Sequence, residues 1–169
     1  MSSTESSGAD LFIAIGNPLR RDDGAAARVI EALQPAAFRI LIQPTIELAA
    51  DIATAGHVIF IDAAIKGEVR LEAVDGKYGT YVSHAATLGE IVALARKLYG
   101  FTGEAWLCRV PGEDFDAGEG LSARALANVA QATELLRSYA RFLTLFPSPV
   151  PRPSRAQTDR TPRPCQPSL

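Results

Sequence analysis

The sequence predicts an α/β fold in three layers, with a mostly parallel central sheet of about five strands and helices on both faces. Short apolar segments alternate along the chain with segments whose apolar residues recur at helical spacing. The apolar segments are continuous, which is typical of parallel strands buried on both faces. Ligands in such folds bind beyond the carboxyl ends of the strands, so the loops that follow strands are the first place to look for a site.

The first half of the chain contains three predicted strands, Leu11–Gly16, Phe38–Ile42 and Val58–Ile61. A helix is predicted after the first strand, with Asp22 as its N-cap. Its apolar positions are Ala26, Val29, Ile30 and Leu33. A second helix is predicted before the third strand, and Gly56 can close it. Its apolar positions are Leu48, Ala49, Ile52 and Ala53.

The second half contains two further predicted strands and two longer helices. Residues 68–74 alternate in polarity, which favours an edge strand, and residues 104–110 form the next strand. Thr87 and Glu90 have the spacing of a capping box at the start of one helix. Ser122 is the predicted N-cap of the last helix. Its predicted buried positions are Leu126, Val129, Leu136 and Leu143.

Charge and proline content divide the 169-residue chain. Residues 147–169 hold seven of the eleven prolines, and four arginines against one aspartate. This segment therefore carries +3 and the rest of the chain −5, which together give the formal net charge of −2. We predict a flexible N-terminus over residues 1–9, an α/β domain over residues 10–146 and a disordered Pro/Arg-rich tail over residues 147–169.

The composition excludes several classes of protein. The mildly acidic net charge does not suggest a nucleic-acid partner. The N-terminal segment lacks the basic and apolar regions of a secretory signal, and no apolar run reaches the ~18 residues that span a bilayer. Cys108 and Cys165 have no CxxC spacing, so we expect reduced thiols. We therefore expect a cytoplasmic protein that does not bind membranes, most simply a monomer.

Three polar features follow predicted strands or precede a helix. The loop G-N-P-L-R-R-D-D-G after the first strand brings Asp22 and Asp23 together, although both could serve only to favour the start of the helix. Asp62 ends the apolar segment of the third strand, where a carboxylate needs a partner or a cation. His84 precedes the helix capped by Thr87, and a helix N-terminus favours the neutral imidazole that binds metals.

These features together predict a mixed oxygen and nitrogen site. Two carboxylates and one imidazole suit a borderline divalent metal such as nickel, zinc or iron better than calcium. A metal with an open coordination position could act in hydrolysis. The sequence shows neither an HExxH helix nor a recognisable Ser-His-Asp or Cys-His arrangement.

The ordered set of motifs resembles the hydrogenase maturation endopeptidases. The resemblance begins with G-N-P-L-R-x-D-D-G and covers roughly residues 10 to 143. It continues through the following segments: Ile46–Ala49, Phe60–Ala64, Ser83–His84, Leu98–Gly100 and Gly118–Ser122. Arg21 departs from the family pattern, in which a small residue is frequent, and residues 85–87 lack a proline that is common there.

The resemblance implies an endopeptidase that removes the C-terminal extension of a nickel-iron hydrogenase large-subunit precursor after nickel insertion. It implies that Asp23, Asp62 and His84 contact the nickel and serve as the catalytic residues. The nickel would belong to the precursor, which is the expected partner, and no organic cofactor is expected.

Three other interpretations are compatible with parts of the sequence. A receiver-type phosphoacceptor domain also has an acidic pair after its first strand and an aspartate at the end of a central strand, but a late-strand lysine is missing, and only Arg109 is available. A dinucleotide-binding module would need further glycines after Gly16, and the two acids would repel a pyrophosphate. A non-proteolytic nickel-binding accessory protein would keep the ligands without cleaving a precursor.

Overall fold

The computed structural model describes residues 8–76 and 87–145. The predictions for residues 1–7, for His84, for Cys165 and for the tail 147–169 lie outside the described residues. The described chain alternates strands and helices as the sequence predicts. Its elements are β1 Asp10–Ile15, α1 Ala25–Leu33, β2 Phe38–Leu41, α2 Leu48–Asp51, β3 His57–Ala64, β4 Arg70–Ala73, α3 Leu88–Tyr99, β5 Glu104–Pro111 and α4 Ala123–Leu145.

The five strands form one sheet in the order β2-β1-β3-β5-β4. All neighbours are parallel except β4, which pairs antiparallel with β5 at the edge of the sheet. The predicted α/β class, the mostly parallel sheet and the edge position of the strand near residues 68–74 are therefore confirmed. The parallel arrangement brings the ends of β1, β3 and β5 to one edge, which positions their following loops beside one another.

Two apolar layers hold the helices against the sheet. The layer on one face joins Ile13 and Phe60 to α2 and α3, and the layer on the other face joins Phe12 and Ile59 to α1 and α4. Residues 58–61 of β3 are buried on both faces. This double burial explains why the central strand is a continuous apolar run, as expected for parallel sheets.

The ends of α3 follow the predicted signals. The Thr87 hydroxyl accepts from the Glu90 N–H, and the Glu90 carboxylate accepts from the Thr87 N–H, which completes a capping box. Gly100 closes the helix with φ 69°, in the left-handed region. The predicted start and end of this helix are therefore confirmed.

The buried face of α4 differs from the prediction. Ser122 does accept from the Ala125 N–H at 3.1 Å, as the predicted N-cap should. Leu126, however, is 56% exposed, so its predicted place in the core is wrong. The buried stripe runs through Ala125, Val129, Ala132 and Leu136. Two members of this stripe, Ala125 and Ala132, have small side chains, which let α4 approach the layer beneath it closely.

None of the helices within residues 8–76 and 87–145 combines the length and the apolar character needed to cross a membrane.

Candidate functional site

The loop after β1 folds back over the end of that strand. Gly16 has φ 146°, and a Cβ at this position would lie 2.0 Å from the carbonyl oxygen of Asp23. Only glycine allows this close approach. The Asn17 N–H donates to the Asp23 carboxylate at 2.8 Å, which fixes the side chain. The loop therefore holds Asp23 at the carboxyl edge of the sheet.

Asp22 ties this loop to the loop after β5. Its carboxylate is fully buried and accepts from the N–H groups of Glu113, Asp114 and Ser122 at 2.8, 3.0 and 2.7 Å. The Ser122 hydroxyl also donates to it, at 2.7 Å. Burial alone would raise the pKa of Asp22, but these hydrogen bonds outweigh burial and the pKa is lowered. Asp22 is therefore an internal tie between two loops.

The predicted role of Asp22 as N-cap of the first helix is wrong. Residues Arg21–Gly24 form a 3₁₀ turn, and Gly24 is the N-cap of α1 without a side-chain hydrogen bond. The Asp22 side chain is occupied by donors from a distant loop and cannot also cap α1. Both acids were predicted at the start of the helix. In the structure Asp22 joins two loops, whereas Asp23 belongs to the candidate site.

Two arginines join the same pair of loops. The Arg20 guanidinium donates to the carbonyl of Phe115, and the Arg21 N–H donates to the carbonyl of Gly118 at 3.0 Å. Arg21 adopts φ 45°, an unusual value for a residue with a side chain, and its guanidinium pairs with Asp114. Arg21 thus binds the loop after β5 through both its backbone and its side chain.

Asp62 lies near the end of β3 beside both neighbouring strands. In the sheet register, Asp62 is opposite Ile15 of β1 on one side and Arg109 of β5 on the other. Burial, followed by the nearby charge of Asp23, raises the pKa of Asp62 from 3.8 to about 6. Arg109 and the Ala63 N–H act in the opposite direction without cancelling this rise. Asp23 and Asp62, two of the three predicted site residues, therefore lie within electrostatic reach of each other.

Arg109 is shared between Asp62 and an acid on β4. Its guanidinium forms an ion pair with Glu72, and the hydrogen bond from Arg109 is the main cause that lowers the pKa of Glu72. Asp62 keeps a raised pKa although this cation is its neighbour in the register, because burial and the charge of Asp23 outweigh the charge of Arg109. In the sequence analysis Arg109 was considered only in place of the late-strand lysine of a receiver domain. No local sequence pattern predicted its pairing with Glu72.

The third predicted site residue, His84, lies outside the described residues. Within residues 8–76 and 87–145, no three His, Cys, Asp or Glu side chains are grouped so that they could hold a metal ion. Of the three predicted ligands, the structure describes Asp23 and Asp62. His84 stays a prediction.

Neither His57 nor Cys108 belongs to this edge of the sheet. His57 begins β3, is buried, and places its Nδ1 atom 2.9 Å from the Asp10 carboxylate at the opposite end of the strand. The sequence suggested no acidic companion for His57, because Asp10 precedes it by 47 positions. Cys108 is buried within β5, and burial raises the pKa of its thiol to about 12. A thiol with this pKa carries almost no thiolate at neutral pH and is a poor nucleophile.

No protein-family model and no curated protein sequence matches the chain. Solved structures do. The hydrogenase maturating endopeptidase HybD from E. coli is similar with a TM-score of 0.61 and 22% identity, over 79% of this chain and 93% of that one. The [NiFe] hydrogenase maturation protease HybD from Thermococcus kodakarensis is similar with a TM-score of 0.58 and 23% identity, over 78% and 99%.

The chain has the fold of the hydrogenase maturation endopeptidases. A second [NiFe] hydrogenase maturation protease from Thermococcus kodakarensis, HycI, is similar with a TM-score of 0.60 and 19% identity, over 80% of this chain and 95% of that one. Such identities establish the shared fold, and the resemblance drawn from the sequence motifs is confirmed at that level. Within the hydrogenase maturation endopeptidase fold, this chain brings Asp23 and Asp62 to the carboxyl edge of the sheet.

Proposed function

We propose that this chain is an endopeptidase that removes the C-terminal extension of a nickel-iron hydrogenase large-subunit precursor after nickel insertion. The observation that carries the proposal is the proximity of Asp23 and Asp62 at the carboxyl edge of a hydrogenase maturation endopeptidase fold. The nickel belongs to the substrate, and Asp23, Asp62 and His84 recognise it. The chain acts in the cytoplasm, as a monomer.

The two carboxylates fit a divalent cation. Burial raises the cost of charging Asp62, and the nearby charge of Asp23 adds to that cost. A cation between them would replace repulsion by attraction, since the charge of Arg109 lowers the pKa of Asp62 without cancelling its rise. Oxygen donors together with one imidazole suit a borderline divalent metal such as nickel.

His84 completes the proposed set from the segment before α3. It precedes Thr87, the first residue of the capping box, by three positions in the sequence, and the positive end of a helix disfavours an imidazolium nearby. A neutral imidazole is the form that coordinates metals. A nickel centre in the precursor would then bind two carboxylates and one imidazole of this chain, which positions the adjoining peptide bond.

Peptide hydrolysis at this edge needs two proton transfers. Water loses a proton as it attacks the scissile carbonyl, and the leaving amine nitrogen gains one as the C–N bond breaks. Asp23 and Asp62 are carboxylates that can accept and return such a proton, and a nickel ion that contacts the carbonyl or the water would favour the attack. Asp22 and the arginine contacts maintain the loop geometry that this chemistry requires.

Cleavage of the precursor by site variants tests the proposal. Asp23→Asn, Asp62→Asn and His84→Ala are each expected to lower the rate of cleavage at least about 100-fold, since each removes a metal contact or a proton-transfer group. Glu119→Gln changes an exposed acid on a neighbouring loop and should cleave at the wild-type rate. Full activity of all three site variants would refute the assignment.

The structure weakens the receiver interpretation. A flavodoxin-like receiver sheet is parallel throughout, whereas β4 is antiparallel here and supplies Glu72 to Arg109. A protein that binds nickel without proteolysis would bind the loaded precursor through the same three residues and release no peptide, so the cleavage assay separates it from the proposed endopeptidase.

A further inference from the structure

The outer edge of β2 carries backbone groups that the sheet does not use. The carbonyls of Ala37 and Leu41 accept from the N–H groups of Phe12 and Gly16, at 3.1 and 2.9 Å. Since successive residues of a strand point their backbone groups to opposite sides, residues 37, 39 and 41 face β1. Phe38 and Ile40 therefore direct their N–H and carbonyl groups outward, where the Phe38 carbonyl accepts from the Arg39 guanidinium at 3.1 Å. No strand within residues 8–76 and 87–145 pairs with this edge.

The side chains along this edge are apolar and unusually exposed. Phe38, Ile40 and Ile42 are 45%, 47% and 67% exposed, and their alternate positions place them on one face of the sheet. Proteins usually protect an open edge with charges, prolines or a bulge. Here Phe38–Ile42 contains one charged residue, Arg39, whose guanidinium donates to the Phe38 carbonyl and pairs with Asp51, and which leaves the Phe38 N–H and both backbone groups of Ile40 uncovered. An apolar strand edge of this kind is suited to pairing with an added strand.

The size of the edge favours a peptide over a second copy of the chain. The edge is short, with three exposed apolar side chains within the five residues Phe38–Ile42. A stable dimer interface needs about 800 Å² per partner. An extended segment, by contrast, can bind through main-chain hydrogen bonds and a few side chains over a short edge.

The edge also leads to the candidate site. The Leu41 carbonyl, which ends β2, accepts from Gly16, and Gly16 begins the loop that carries Asp23. Ile46 and Leu19 are 59% and 62% exposed in the loops that follow β2 and β1. Because β2 and β1 are parallel, both strands end at the carboxyl edge of the sheet. A segment paired with β2 would thus extend toward the edge that carries the acids.

We propose that the outer edge of β2 binds an extended, apolar segment of the polypeptide substrate as an added strand. This proposal rests on the proposed function, because the segment is part of the precursor that the site cleaves. The bound segment has β-branched or aromatic side chains at alternate positions and lacks proline where its backbone faces Phe38 and Ile40. Its pairing with β2 directs the adjoining chain toward Asp23 and Asp62.

A titration of the full chain with a model strand tests the docking directly. The probe is the peptide acetyl-Val-Thr-Val-Thr-Val-amide, and the readout is the shift of backbone amide signals in NMR spectra. The largest shifts are expected at Phe38 and Ile40, whose N–H groups point outward. A peptide with N-methyl groups at the residues that face β2 should produce none of them. Shifts centred elsewhere, or equal binding of the methylated peptide, overturn the proposal.

Two variants of the same residue separate backbone from side-chain effects. Ile40→Pro removes an outward N–H that the sheet does not use, and edge strands tolerate proline there. Ile40→Lys keeps that N–H and adds a charge to the apolar face. Each should weaken peptide binding at least tenfold. The matched control is Leu126→Lys, which adds the same charge at an exposed leucine of α4 and should bind as the wild type does. Equal binding by Ile40→Lys and Leu126→Lys overturns the proposal.

Kinetics with the nickel-loaded precursor distinguish this proposal from the proposed function. Ile40→Lys should raise KM at least tenfold and leave kcat within twofold, whereas Asp62→Asn should abolish turnover. An unchanged KM in Ile40→Lys overturns the docking and leaves the endopeptidase intact. If the wild type cleaves nothing, the proposed function fails and the NMR titration alone decides the docking. A dimer in sedimentation that Ile40→Lys dissociates would assign the edge to a second copy and overturn the peptide as occupant.

Discussion

Replacement of Asp62 by asparagine is expected to stabilise the protein while it removes activity. Burial and the charge of Asp23 raise the pKa of Asp62 from 3.8 to about 6. The folded chain therefore holds this proton more tightly than the unfolded chain, and ionisation of Asp62 costs stability as the pH rises between these values. At about 1.4 kcal/mol per pKa unit, the cost reaches about 3 kcal/mol above pH 6. Asparagine carries no charge and avoids this cost.

Urea unfolding of the wild type and of Asp62→Asn at pH 5 and pH 8 measures the effect. The free energy of unfolding of the variant should exceed that of the wild type, and the gap should widen by about 1.4 kcal/mol from pH 5 to pH 8. The control Glu119→Gln, at an exposed position, should stay within about 0.5 kcal/mol of the wild type. A gap that does not change with pH, or a variant less stable than the wild type at pH 8, would show that Asp62 is not a strained, desolvated acid.

Three further changes probe the frame around the site. Asp22→Asn leaves buried N–H donors without a charged acceptor and should lower the free energy of unfolding by about 3 kcal/mol. In the wild type, the stability that Asp22 contributes is present above pH 3.8 and is lost as the pH falls below it. The free energy of unfolding of the variant should not show this loss in acid. Gly112→Ala should cost about 1–3 kcal/mol in urea unfolding, because a Cβ at this position would lie 2.6 Å from the Cβ of Asp22; stability equal to the wild type would show that the loops can part without cost. Thr87→Ala should cost about 1 kcal/mol in thermal unfolding through loss of the capping box, and an unchanged midpoint would contradict the cap.

The fold was predictable because its signals are local. The apolar run of residues 58–61, buried on both faces, is a direct consequence of its central place in a parallel sheet. The capping box at Thr87 and the closing Gly100 lie within the segment whose ends they mark. Such features need only a few neighbouring residues, so a single sequence contains them. The face of α4 was less predictable, since apolar spacing alone did not exclude Leu126 from the buried stripe.

The candidate site was predictable only in part, since its contacts join distant residues. Asp22 and Asp23 are adjacent and chemically alike, so the sequence does not distinguish them. The groups that donate hydrogen bonds to Asp22 lie 91 to 100 positions later in the chain. Likewise, the pairing of Arg109 with Glu72 depends on the antiparallel register between β4 and β5. No periodic pattern in the sequence predicts which residues of β4 and β5 lie opposite each other. Asp62 was identifiable because a carboxylate at the end of a buried strand is costly unless it has a role.

The two adjacent acids have different roles, which explains how the site can hold the carboxylates of Asp23 and Asp62 close together. The Asp22 carboxylate is buried and accepts hydrogen bonds from four donors. These hydrogen bonds join the loops after β1 and β5. The rigid frame that results holds Asp23 near Asp62 in spite of the repulsion between them. Burial, followed by the charge of Asp23, raises the pKa of Asp62, and a cation from the substrate would oppose this rise.

The most direct test is intact-mass spectrometry of a hydrogenase large-subunit precursor after incubation with this protein, with the precursor in nickel-loaded and nickel-free forms. We predict that the loaded precursor loses its C-terminal extension as one released peptide, and that the nickel-free precursor keeps its full mass. Equal processing of both forms would contradict nickel recognition by Asp23, Asp62 and His84. An unchanged mass in both would contradict the assignment of the protein as an endopeptidase.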